Sequence, residues 1–314
     1  MVAQAPRSSF VFALGQPGAE RALRAEFMRH GLNPAFGLDG FVSAKANRSL
    51  SVDELPPLVL GRRVCLSLGK LADVNVDVVA RDLGAAVHRE HGARGPRLTV
   101  DGAFAVTVVE RPGGAFVGVH RHRAGISPDP CGDPQLTVPD DAPSRAWLKV
   151  EEARQLWPLP IARGDVVIEV GCAPGGQTRA LLDLGARVVG VDANAMDERV
   201  LARDSFTHLR CAAQQVDAGL LRDTLPGPAR FIVIDVNQRP MAALASIASI
   251  TKATRETLRG GLFTLKLGDW ALMTELPQWR TRIEQLIGPG THTEAAQLPS
   301  NRVEVTVFAS RTDV

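Results

Sequence analysis

The segment VVIEVGCAPGG, residues 166–176, constrains the fold of this 314-residue chain more than any other part of it. A short, nearly all-apolar run followed by glycines at 171, 175 and 176 reads as a buried strand, a sharp turn and the opening of a helix. Glycines at that junction let a ligand approach the backbone, and they aim helix N-terminal amides at it. The same alternation continues downstream. Apolar strands are expected at 166–171, 187–192, 208–211, 231–235, 262–267, 293–298 and 304–310, with helices at 144–156 (capped by Ser144), 176–184, 240–258 and 276–287. Such alternation specifies an α/β, Rossmann-like domain with a mostly parallel sheet covered on both faces. Only five residues separate the last two strands, 299–303, too few for a parallel crossover, so the last strand should be antiparallel.

Upstream, the cluster CGDPQLTVPDD (131–141) reads as a linker, which places this domain at 141–314. Before it the pattern is α+β. Strands are expected at 9–14, 41–44, 63–68, 97–100, 103–109 and 115–120, and helices at 20–30, 55–60 and 76–88. The last two strands are joined by a Pro112-Gly113-Gly114 turn. Hydrophobic residues at 45% and charged residues at 22% suit a globular chain. Aromatics make up only 5% and Tyr is absent, so the core must be Leu, Val, Ile and Ala. Cys65, Cys131, Cys172 and Cys211 form no metal-ligand pattern, so no metal is expected and the thiols suit a reducing compartment. Residues 1–9 hold one Arg but no apolar run of leader length, and no stretch is long enough to span a bilayer. The expectation is a cytoplasmic protein without a membrane partner; its oligomeric state is not legible.

The ligand of the glycine turn can be narrowed. The next strand, ARVVGVDAN, carries Asp192 near its end, about twenty residues on, where a carboxylate can accept both hydroxyl hydrogens of a nucleoside ribose. The turn reads G-C-A-P-G-G, not G-x-G-x-x-G, and Pro174 removes an amide that a pyrophosphate would use. S-adenosylmethionine, with a carboxylate and an amine in place of phosphates, fits better than NAD.

With Asp235 ending the strand FIVID, Lys266 near the end of LFTLKL, Glu304 in VEVTVFAS and Lys149 in SRAWLKVEEA, the A-P-G-G turn resembles the RNA ribose 2'-O-methyltransferases, which carry a Lys–Asp–Lys–Glu tetrad. The segment DAPSRAWLKVEEA (141–153) is similar to the bacterial large-subunit ribosomal RNA ribose 2'-O-methyltransferase M family, which modifies a cytidine. That resemblance implies a ferredoxin-like subdomain at 1–68, a shortened THUMP-like RNA-binding region at 69–135, and catalytic Lys149, Asp235, Lys266 and Glu304. Cofactor contacts are expected at Ser144, Gly171, Ala173, Pro174, Gly175, Gly176, Asp192 and Asp235. Three positions depart from the family's habit. Cys211-Ala212-Ala213 replaces a carboxylate that meets adenine, leaving Gln214, Gln215 or Asp217 for that task. Glu169 stands where Asp is commoner, and Gln177 where an aromatic is common.

The chemistry can be set out from the residues. A ribose hydroxyl is almost wholly protonated at neutral pH, and a sulfonium methyl must be approached in line. A lysine can take the hydroxyl proton only when neutral, so its pKa must be lowered by burial or a neighbouring cation. Lys266 is the expected base. Lys149 would supply the second positive charge and contact substrate oxygens, and Asp235 and Glu304 would orient the ammonium groups while opposing the depression; the sequence leaves that balance open between Lys266 as base and Lys266 as the group that steers the attacking lone pair. Two other functions share parts of the pattern: a small-molecule O-methyltransferase, and an RNA-binding protein with a decayed catalytic domain.

A net charge of only +2 does not by itself announce nucleic acid. Five of the seven histidines nevertheless precede the linker, and HREHGARGPR (88–97) and HRHR (120–123) gather cations there. They are expected to neutralise RNA phosphates. Aromatic stacking platforms are not evident.

Overall fold

The computed structural model describes residues 6–112 and 114–312; Gly113 of the expected turn and residues 1–5 of the segment searched for a leader lie outside them. The chain divides into two compact units, Met1–Gln135 and Leu136–Val314.

The first unit runs β1 (Arg7–Leu14), α1 (Glu20–Arg29), β2 (Asn33–Leu38), β3 (Phe41–Ser51), β4 (Arg63–Lys70), α2 (Val76–Leu83), β5 (Ala86–Arg89), β6 (Phe104–Arg111) and β7 (Gly114–Arg121). They form one sheet in the order β2-β3-β1-β4-β7-β6-β5, antiparallel apart from β5 with β6. Because β4 pairs with β7, the portions 1–68 and 69–135 share that sheet. α1 buries Leu23 and Phe27, one turn apart on a single face.

Several expected elements are corrected. Residues 55–60 are not helical: Pro56 and Pro57 deny the segment backbone donors. The helix expected at 76–88 stops at Leu83, after which β5 begins. Residues 97–100 form no strand, since the Leu98 amide donates to the Pro128 carbonyl in a loop. β2 was not expected at all. Its NPAFGL sequence carries Pro34 and Gly37, which an edge strand tolerates.

The second unit runs α3 (Trp147–Leu156), β8 (Val166–Val170), α4 (Gly176–Asp183), β9 (Arg187–Val191), α5 (Glu198–Leu201), β10 (Phe206–Leu209), α6 (Ala218–Thr224), β11 (Ala229–Ile234), α7 (Pro240–Ser246), α8 (Ala248–Thr254), β12 (Gly260–Lys266), α9 (Leu276–Ile287), β13 (Thr291–Ala296) and β14 (Glu304–Arg311). The sheet order is β10-β9-β8-β11-β12-β14-β13. Its first five strands are parallel, and β14 inserts antiparallel between β12 and β13. The helix expected at 240–258 is two helices meeting at Ile247. The helix expected from Ser144 starts at Trp147, because Ser144 Oγ accepts from the Ala146 amide in a tight turn and caps no helical donor.

β8 leads outward to β9 and β10, while β11 leads the other way to β12. The order therefore reverses between β8 and β11, and a crevice opens at their carboxyl ends, where ligands of such sheets bind. Val167, Phe231, Val233, Leu262 and Phe308 form the core beneath it, and Trp157 stacks on Phe308 at 5.6 Å. Among the described residues no helix is long and apolar enough to cross a membrane.

Candidate active site

At the switch point the backbone is drawn tight. Gly171 follows β8 at φ 83, and a Cβ there would collide with the Asp235 carbonyl oxygen. The Asp235 amide donates to the Val170 carbonyl at 3.0 Å. Gly176 opens α4 against the turn before α3, where a Cβ would strike Ser144 Oγ. Gly175 is the N-cap of α4, and the Ala173–Pro174 peptide is cis. A cavity of about 300 Å³ is lined by Ser144, Glu169, residues 171–174, Gly176, Gln177, Asp235, Lys266 and Glu304. Of the residues expected from sequence, Gly175, Asp192 and Lys149 do not line it.

Lys149 from α3, Asp235 after β11, Lys266 at the end of β12 and Glu304 at the start of β14 meet at the cavity wall. The antiparallel insertion of β14 is what sets Glu304 directly opposite Lys266. Lys149 Nζ lies 2.7 Å from Asp235 Oδ2 and 2.9 Å from Glu304 Oε2. Lys266 Nζ lies 2.7 Å from Asp235 Oδ1 and 2.6 Å from Glu304 Oε1. Each carboxylate thus bridges both ammonium groups, and the four close a ring of alternating charge. The two lysines differ in exposure: the Lys149 side chain is 9% exposed and that of Lys266 25%. Lys266 is the cation that reaches the cavity, and Lys149 braces the ring from behind.

This geometry decides a balance that sequence left open. Burial pushes the Lys266 pKa down, but the adjoining Asp235 and Glu304 more than offset it, and the net is well above the ordinary lysine value. Lys266 is therefore an ammonium at neutral pH. Of the two states left open for Lys266, its pairing with Asp235 and Glu304 favours the ammonium.

Two residues gain importance that sequence reasoning had passed over as departures from habit. Gln177, almost wholly buried, donates Nε2 to Asp235 Oδ2 at 2.8 Å. Glu169 is buried in β8 and accepts from Thr178 Oγ1 at 2.6 Å. Its Oε1 has no hydrogen-bond partner among the described residues. Burial is the main cause that pushes its pKa up to about 8. An acceptor left open beside a cavity is suited to an incoming amine.

Asp192 follows β9 and braces the turn: Oδ2 accepts from the Ala173 amide at 3.1 Å, and Oδ1 from the Asn194 amide and side chain, each at 2.9 Å. Of the residues considered for adenine, Gln215 Oε1 accepts from the Ala212 amide, and Asp217 caps α6 through the Leu220 amide. Gln214 is left with no such commitment among the hydrogen bonds described.

The cation-rich runs of the first unit are only partly open: His91, Arg97 and Arg123 are exposed, while other members turn inward or are paired. His88 and His120 are buried with their rings 5.8 Å apart. Burial lowers the His88 pKa to about 4 and that of His120 well below the ordinary value, so both are neutral. Arg94 donates to the Pro130 and Asp133 carbonyls, and Arg121 is chelated by Asp53 over the Phe104 ring.

A parallel sheet with its cavity at the switch point, glycines drawn against its floor and a lysine–carboxylate ring on its wall is the architecture of a Rossmann-like methyltransferase. Residues 142–273, within the second unit, match the model of the FtsJ-like methyltransferase family. Three curated relatives, each named Ribosomal RNA large subunit methyltransferase M, are similar to the chain more widely. That of Sodalis glossinidius is 32% identical over 211 residues, 64% of this chain and 55% of its own length. The Halorhodospira halophila protein is 30% identical over 197 residues, covering 60% and 54%. The Methylococcus capsulatus protein is 32% identical over 189 residues, covering 58% and 51%. The chain spans about half the length of these relatives.

Proposed function

We propose that the protein transfers a methyl group from S-adenosylmethionine to a ribose 2'-hydroxyl of RNA in the cytoplasm, with a cytidine of large-subunit ribosomal RNA as the leading target. The observation that carries this reading is the closed ring of Lys149, Asp235, Lys266 and Glu304 at the cavity wall, with Lys266 turned to the cavity. The names of the three relatives support the choice of RNA. An intact ring argues against a decayed site.

The cavity suits the cofactor. Glu169 would receive the ammonium on its open oxygen, the 171–176 turn and Ser144 would hold the carboxylate end, and Asp192 would take the ribose hydroxyls. When bound, the cofactor supplies an electrophilic methyl on a sulfonium. The chain's own contribution is positional. As an ammonium, Lys266 engages one lone pair of the ribose oxygen and turns the other toward the methyl carbon. Asp235 and Glu304 fix its direction, and Lys149 balances their charge. The O–C bond would form at the expense of the sulfonium's C–S bond, and the hydroxyl proton would pass to solvent water, since Lys266 is already an ammonium. The four residues act here as an orienting clamp, with no neutral base required. Residues 1–68 and 69–135 would serve as the ferredoxin-like and shortened THUMP-like parts that present RNA.

The test is incubation of the full chain with methyl-labelled donor and large-subunit RNA from a strain lacking the modification, followed by digestion and nucleotide mapping. A ribose-methylated nucleoside is the expected product. Label confined to bases, or to small molecules, would overturn the assignment.

A further inference from the structure

One face of the first unit's sheet gathers rings that are far apart in sequence. The pairings Phe10↔Lys45, Phe12↔Ser43 and Leu14↔Phe41 put these six side chains on the same face of β1 and β3. Phe12 stacks on Phe41 at 5.2 Å, and Phe41 meets Phe116 at 4.8 Å. Phe36, from edge strand β2, lies over both Phe41 and Phe116, 6.1 Å from each. Its backbone amide donates to Ser43 Oγ, which fixes its place above the sheet. The inner rings are buried, but Phe36 remains 41% exposed and Phe10, beyond the stack, 48%.

The same strands are electrostatically one-sided. None of the residues of β1, β2 or β3 is Asp or Glu. Arg7 and Arg48 pair with Glu54, whereas Lys45 holds its ammonium 5.4 Å from the centre of the Phe10 ring. Arg24 reaches from α1 to the Ala35 carbonyl, but its guanidinium lies over Gly37, on the other face of β2. Two half-exposed rings, one with the Lys45 ammonium over it, on strands without Asp or Glu match a single-stranded nucleic acid, whose bases stack on rings and whose phosphates seek cations.

We propose that this face binds single-stranded RNA, one base stacking on Phe10 and another on Phe36, with Lys45 meeting a flanking phosphate. The inference rests on the RNA reading above and adds a contact surface distinct from the cation-rich runs. Stacking selects a ring face and not a base edge, so the surface holds unpaired RNA with little sequence preference.

The experiment measures binding of a fluorescent oligouridine, and of an abasic strand of the same length, to the full chain. It also scores methylation of large-subunit RNA. Phe10→Ala and Phe36→Ala should each weaken oligouridine binding by roughly 5- to 100-fold, the range expected for one stacked base. The parent should prefer oligouridine over the abasic strand, and the double variant should lose that preference. Because Phe36 also packs on Phe41 and Phe116, Phe36→Trp serves as the fold-preserving variant and should keep parental binding. Val100→Ala, at another exposed position, should change nothing. If the parent methylates RNA yet folded alanine variants bind oligouridine within about twofold of it, this surface is wrong while the methyltransferase reading stands. If the parent neither methylates nor binds RNA, both fall. If the parent self-associates and the alanine variants do not, the face is a contact between copies and the RNA assignment is overturned.

Discussion

Gln177 donates its side-chain amide to the Asp235 oxygen that also receives Lys149, at 2.8 Å against 2.7 Å. That oxygen is saturated from two sides, and this fixes the plane of the carboxylate on which both lysines are hung. Gln177→Leu keeps the buried volume but removes the donor. A hydrogen bond to a charged group is worth about 1.5–3 kcal/mol, so single-turnover methylation should fall by roughly ten- to a hundredfold. Gln177→Glu, which sets a second carboxylate against Asp235, should do more harm than Leu. Rates equal to the parent's in both variants, with folding checked by thermal melts, would remove Gln177 from the site.

Lys266 offers a test of role as well as of importance. Lys266→Met should lower single-turnover transfer by about a hundred- to ten-thousandfold at saturating RNA, with cofactor affinity nearly unchanged. Lys266→Arg keeps the charge and should retain measurable transfer. Because its carboxylate partners raise the Lys266 pKa, the parental rate should show no midpoint assignable to this lysine below about pH 10. An arginine variant as inactive as Met, together with a parental midpoint near neutrality, would restore the neutral-base mechanism.

Glu169 links the cavity to pH. Its folded pKa of about 8 stands above the ordinary 4.5, so the folded chain binds more protons than the unfolded chain between those values. Stability must then fall as pH rises through that window, by at most about 1.4 kcal/mol per unit for one group. Glu169→Gln should be more stable than the parent, with a gap that widens from about pH 5 to about pH 8. Denaturant titrations across that range would show it, and parallel profiles for the two proteins would count against a protonated Glu169.

Asp192 holds the Ala173 amide and is expected to take two ribose hydroxyls of the cofactor. Asp192→Ala should weaken S-adenosylmethionine binding by roughly 1.5–3 kcal/mol. Calorimetry on a folded variant that gave the parental affinity would reassign the ribose contact.

The second unit was largely legible because strand, glycine turn and helix repeat with distinct periods, and most strand ends lie within one or two residues of expectation. What escaped was set by tertiary contacts. Ser144 looks like a helix cap, yet its hydroxyl is engaged by Ala146, and nothing local marks the break at Ile247. In the first unit, β2 and β5 are too short, and β2 too rich in turn residues, to announce themselves. His88 and His120 read as surface charge because a histidine carries no sign of which way its strand faces. The aromatic array was invisible for the same reason: Phe10, Phe36 and Phe116 belong to three strands whose register only the folded sheet supplies. The charge state of Lys266 depends on two distances below 3 Å, to Asp235 and Glu304, that no spacing in the sequence encodes.

The closed ring at the cavity wall also limits how this protein can change over generations. Its two cations and two anions sum to zero, so the loss of any single charge strands an unbalanced one in a nearly buried place, the costliest kind of local error. A lineage can therefore leave this arrangement only by altering an ammonium and a carboxylate together. One-letter drift is closed at all four positions, and Lys149, although it does not line the cavity, is held as firmly as Lys266.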